Sequence, residues 1–136
     1  MNKHHSESSQ YAQQEARRLL NEGASLLTEG RATEAIDLLE RADQLESGSV
    51  PVLLTLGGAY VMSGRHREAI EPLEAARDAE PQNALIWINL GAAYLGNPVL
   101  ATPDQQLEAI QAFGQAVKLD PAAPSAQYNL GLIYVD

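Results

Sequence analysis

Three asparagines and a threonine share one register of this chain: Asn21, Thr55 and Asn89 recur every 34 residues, and Asn129 follows after 40. A side-chain amide both donates and accepts, so a ladder of such groups has the chemistry to hold the backbone of an extended peptide, whatever its sequence. The same side chains also bond readily within their own helix, and both readings stand open at this point. Chemistry of bond making has less to work with. There is no cysteine, hence no thiol nucleophile and no disulfide. None of the three histidines stands with a carboxylate and a nucleophile, and Glu71 with Glu74 is ordinary helix-face spacing. His4-His5, adjacent on a polar stretch, makes a poor metal site. No glycine-rich phosphate loop follows a strand, since no strand is evident. The expectation is a non-enzyme without cofactor or metal.

The elements that position these side chains come from a repeated unit, seen most clearly between Val50 and Pro81. Leu53, Leu56 and Tyr60 fall on one helical stripe with Gly57 beside them, Ser63-Gly64-Arg65 breaks the helix, and a second run carries Ala69, Leu73 and Ala76. Adding 34 reaches Trp87, Leu90, Gly91 and Tyr94; subtracting 34 reaches Leu19, Gly23, Leu26, Ala35, Leu39 and Ala42. Such a period means stacked supersecondary units, each needing its neighbours to complete a core. The small positions Gly23, Gly57, Gly91 and Gly131, with Ala69 and Ala109 opposite, predict a close crossing of the two helices in each unit. Glycine inside a helix loses about 1 kcal/mol against alanine, so its recurrence at one register calls for a packing reason.

The motif Leu53-x-x-Leu56-Gly57-x-x-Tyr60 with Ala69, Leu73, Ala76 and Pro81 resembles the tetratricopeptide repeat, and Trp87, Leu90, Gly91, Tyr94, Ala109, Phe113, Ala116 and Pro121 resemble it more closely still. The resemblance implies an all-α, right-handed α-solenoid of helix-turn-helix units. The units are read as residues 16–49, 50–83, 84–123 with a six-residue insertion near 96–102, and a half repeat at 124–136. It also implies a protein–protein interaction scaffold, with second helices on the convex wall and first helices lining a concave groove.

The residues that would line it are apolar. Leu20, Ala24 and Leu27; Leu54, Gly58 and Val61; Ile88, Ala92 and Leu95; and Tyr128, Leu132 and Val135 form a second stripe on the first helices, edged by Asn21, Thr55, Asn89 and Asn129. Between Val50 and Met62, and again from Ala84 to Leu95, there is no charged residue, and a helix apolar all round must be covered on more than one side. A contiguous strip of this kind marks a partner site for a protein or peptide. Some proteins of the family hold a C-terminal carboxylate with lysine and arginine; the registers here carry Leu20, Leu54, Thr55, Leu85 and Asn89, so that clamp is absent.

The formal charge of −9 repels nucleic acid. No apolar run is long enough for a membrane span, and the polar first ten residues lack a signal core, which reads as a cytoplasmic chain. Residues 1–8 are expected to be a disordered tail, with a helix starting at Ser8 or Ser9 and the repeat domain covering 9–136. The last helix offers Leu130, Ile133, Tyr134 and Val135 with no second helix to cover them, and the alternative reading is a homo-oligomerisation module using them or the groove.

Overall fold

The computed structural model describes residues 3–123 and 125. Six helices follow one another: α1 (Lys3–Thr28), α2 (Ala32–Leu45), α3 (Val50–Met62), α4 (His66–Ala79), α5 (Ala84–Leu95) and α6 (Pro103–Leu119), with no strand among the described residues. They pair as α1 with α2, α3 with α4 and α5 with α6, and each pair stacks on the next through α2–α3 and α4–α5. This is an all-α repeat solenoid.

The crossing inside each pair explains the glycines. A Cβ at Gly23 would lie 2.8 Å from Leu39 Cδ2, one at Gly57 2.5 Å from Leu73 Cδ2, and one at Gly91 2.5 Å from Phe113 Cε1. Leu39, Leu73 and Phe113 are fully buried, as are Ala35, Ala69 and Ala109 on the same second helices. Each second helix thus drives one large side chain into the gap its partner leaves by having no Cβ.

The turns inside the first two pairs are alike for the same reason. Gly30 and Gly64 adopt φ of 78° and 81°, which glycine does without a Cβ penalty. Their N–H groups donate to Leu27 and Val61, while Arg31 and Arg65 donate back to Leu26 and Tyr60 at 2.8 and 2.7 Å. That pair of bonds satisfies the last carbonyls of the first helix and turns the chain sharply. In the third pair the insertion replaces this turn. Gly96 closes α5, Asn97 accepts from the Val99 amide at 2.9 Å, and Thr102 opens α6 through a capping box with Gln105 and Pro103 behind it.

Bonds between consecutive pairs add register. The Tyr60 hydroxyl donates to Glu40, and one unit later Tyr94 donates to Glu74 at 2.6 Å. Burial first, and the facing carboxylate second, raise both phenols, Tyr94 up to about 12, so each stays protonated as a donor. Pro72 sits inside α4 without breaking it.

The amino-terminal expectation needs correction. α1 begins at Lys3, so residues 3–8 belong to a helix and not to a disordered tail. The stretch from Lys3 to Gln10 has little to bury, but it holds neither glycine nor proline, and adding a residue to an existing helix avoids the cost of nucleation.

Candidate functional site

The first helices touch one another, α1 with α3 and α3 with α5, while α2, α4 and α6 make no comparable contact among themselves. The row of first helices is therefore the tighter, inner one, and the second helices fan out as the outer wall. On that outer wall lie Glu34, Asp37, Glu68, Glu71 and Asp78, all exposed. Arg31 pairs there with Glu34, and Arg65 with Glu68, in exposed ion pairs that contribute little to stability.

The inner stripe is half-buried, as expected of side chains wedged between neighbouring helices with one side open. Leu20, Leu54, Thr55, Gly58, Val61, Ile88, Asn89 and Ala92 all have this intermediate exposure, and Asn21 is exposed. A Cβ added to Gly58 would meet Asn89 Oδ1 at 3.8 Å, which places these two residues face to face across the α3–α5 boundary. Neither α3 nor α5 carries a charge, so the face is apolar across two pairs.

Leu95 does not belong to it. Only 4% exposed, it packs with Ala109, Phe113, Ala116 and Ala123 in the core between α5 and the end of α6. The same cluster covers one side of Ile88 and Ala92. Counting by period put Leu95 in line with Leu27 and Val61. The third pair differs because Phe113 and the returning Ala123 close over the last turn of α5. Tyr128, Asn129, Leu132, Leu130, Gly131, Ile133, Tyr134 and Val135 lie outside the described residues.

Two large apolar side chains outside the expected stripe, Leu85 from a groove register and Met62, which the sequence did not single out, stand open on this face. Met62, at the last turn of α3, is 58% exposed, and Leu85, in the first turn of α5, is 53% exposed. Their spacing was a readable signal: Leu85 stands three residues before Ile88, and Met62 four after Gly58. Arg17 on α1 occupies the register of Pro51 and Leu85.

Two of the ladder's polar groups are engaged locally. Thr55 Oγ1 donates to the Pro51 carbonyl at 2.6 Å, and Asn89 Nδ2 to the Leu85 carbonyl at 3.0 Å. At the edge where α3 and α5 begin, each second helix ends on a carboxylate: Glu46, Glu80 and Asp120 are the C-caps of α2, α4 and α6. A carboxylate there opposes the helix dipole, which favours cations at this end. Glu80 accepts from Asn83 Nδ2 at 3.2 Å and Asp120 from the Ala122 amide at 3.1 Å.

Elsewhere, a crevice of about 370 Å³ lined by Asp43, Leu53, Tyr60, Glu71 and Pro72 lies between the first and second pairs, and burial pushes the Asp43 carboxyl up. Among the described residues no cluster of three His, Cys, Asp or Glu could hold a metal ion, and no helix is long and apolar enough to cross a membrane. Val99 and Leu100 project from the insertion, 89% and 76% exposed.

Models of the tetratricopeptide repeat family match residues 26–88 and 105–136. No curated protein matches the chain. Among solved structures, MamA from Desulfovibrio magneticus RS-1 is 25% identical with a TM-score of 0.78, over 88% of this chain and 64% of that one. The chain therefore spans less than two-thirds of MamA's length. The first TPR of Spaghetti (RPAP3), bound to the HSP90 peptide SRMEEVD, is 19% identical with a TM-score of 0.79, covering 90% of this chain and 93% of that one. The second TPR domain of human RPAP3, in complex with the HSP70 peptide SGPTIEEVD, is 17% identical with a TM-score of 0.76, covering 93% and 98%. With its period, its glycine-mediated helix crossings and these matches, the chain belongs to the tetratricopeptide repeat family.

Proposed function

We infer that this chain is a protein-interaction module that receives an apolar segment of a partner protein across the inner face of α1, α3 and α5. The observation that carries this is the uncharged strip of Leu54, Gly58, Val61, Ile88 and Ala92, half-buried and flanked by the open side chains of Met62 and Leu85. Covering it removes apolar area from water at about 25 cal/mol per Å². Two solved domains of the same fold are bound to peptides of partner proteins, which supports binding in preference to catalysis. Those peptides end in Glu-Glu-Val-Asp, whereas this inner face offers Arg17 alone against an acidic chain end. An acidic C-terminal peptide is therefore not the ligand expected here.

The test is a pull-down comparing the native chain with Leu54→Glu/Ile88→Glu, its fold checked by circular dichroism. Loss of a partner that the native chain retains is the expected result; equal recovery by both proteins would remove the inner face as the binding surface.

A further inference from the structure

We propose that the segment received on the inner face is a basic amphipathic α-helix: apolar along the side that meets Leu54, Ile88, Met62 and Leu85, with lysine or arginine along the flank that meets Glu46, Glu80 and Asp120. The inference rests on the inner-face reading and adds the conformation and charge of the occupant.

Conformation follows from the hydrogen bonds. An extended chain brings unpaired backbone groups to an apolar surface and needs partners for them. Of the side chains that stand where such partners would be, Thr55 donates its hydroxyl to the Pro51 carbonyl and Asn89 one N–H to the Leu85 carbonyl of their own helices. That leaves Asn21 and the Asn89 carbonyl as the open groups, too few to pair an extended chain across three helices. A helix arrives with its backbone satisfied and asks of the surface only apolar contact, which is what this one offers.

Charge follows from the edge. Glu46, Glu80 and Asp120 recur at the ends of α2, α4 and α6, beside the starts of α3 and α5. The cations of that edge are Arg77, engaged by Asp78 at 3.0 Å and near Glu74, Lys118, and Arg17 at the register of Pro51 and Leu85, against the three carboxylates. The remaining paired arginines, Arg18, Arg31 and Arg65, sit with carboxylates on their own or adjoining turns. The chain as a whole carries −9, so the field over this edge is negative. Residues seven apart in a helix lie about two turns apart on one side, so one cation per heptad keeps the charge on a single flank.

The experiment uses three synthetic peptides of about 18 residues, ~27 Å as a helix, and the full chain, read by fluorescence anisotropy at low and high salt. One has a leucine-alanine face with lysine at every seventh flanking position. The second carries glutamate in place of that lysine. The third is the lysine peptide with a central proline, which breaks the helix. The lysine peptide is expected to bind at least tenfold more tightly than either of the others, and to weaken with salt. In Glu46→Gln/Glu80→Gln/Asp120→Asn that preference should disappear. Met62→Glu/Leu85→Glu, at positions too exposed to unfold the chain, should lose the peptide.

No binding of the lysine peptide, or equal binding of all three, overturns this inference. If equal binding is still lost in Met62→Glu/Leu85→Glu, the inner face survives and only its proposed occupant falls. Tight lysine-peptide binding that ignores that double substitution overturns the inner-face reading itself.

Discussion

Replacing Gly91 by alanine sets two opposing effects against each other. In an exposed helix the change is favourable, since glycine is worth about 1 kcal/mol less than alanine. Here the new methyl would lie 2.5, 2.6 and 2.7 Å from three atoms of the Phe113 ring. Phe113 is fully buried, and a ring cannot yield at its edge as the end of a flexible chain does. Overpacking of this sort costs about 1–3 kcal/mol, and contact with three rigid atoms belongs in the upper part of that range. Net destabilisation of about 1–2 kcal/mol is expected. Gly114 is the control: it lies in α6 beside Phe113 in sequence, and a Cβ there meets nothing within 4 Å. Gly114→Ala should therefore stabilise by up to about 1 kcal/mol. Urea unfolding followed by circular dichroism measures both, with the midpoint shifting in opposite directions and the slope unchanged. A Gly91→Ala protein as stable as the native chain would refute the close-crossing argument, and with it the reason given for Gly23 and Gly57.

Other expectations follow from particular bonds. Tyr94→Phe deletes the hydroxyl that donates to Glu74 at 2.6 Å and should lower stability by about 1 kcal/mol near neutral pH. Because the folded phenol is raised from 10.0 to about 12, its contribution is whole below pH 10 and declines as pH rises towards 12. The gap between native and Tyr94→Phe unfolding midpoints should therefore narrow over that window, and a gap constant to pH 12 would contradict the assignment. Thr102→Ala removes the cap of α6 and should cost about 0.5–2 kcal/mol in thermal unfolding, without changing partner binding. For the homo-oligomer alternative, light scattering across a dilution series decides: a mass that stays monomeric while partner binding persists rules out self-association as the function.

The sequence made the solenoid legible because its signals are local and repeated. Gly57 against Leu73, Gly64 in its turn, and Thr102-Pro103 at the start of α6 each report a constraint that holds within one helix pair. What was lost depends on longer-range geometry. Leu95 shares the register of Val61, yet the insertion and the returning Ala123 close over it. Met62 sits at a helix end, where exposure depends on how far the adjoining turn stands away. Whether Asn89 bonds its own helix or a ligand is a rotamer choice that spacing does not encode. The polar residues before Ser8 suggested a free tail because composition speaks to burial, whereas α1 needs only continuity to extend through them.

The most direct measurement of the central claim is site-specific photocrosslinking in cells, with the probe placed in turn at Met62 and Leu85 on the inner face and at Asp37 and Glu71 on the outer wall. A single partner chain captured from the two inner positions and from neither outer one is the predicted result. Capture from the outer positions alone, or equally from all four, would contradict it.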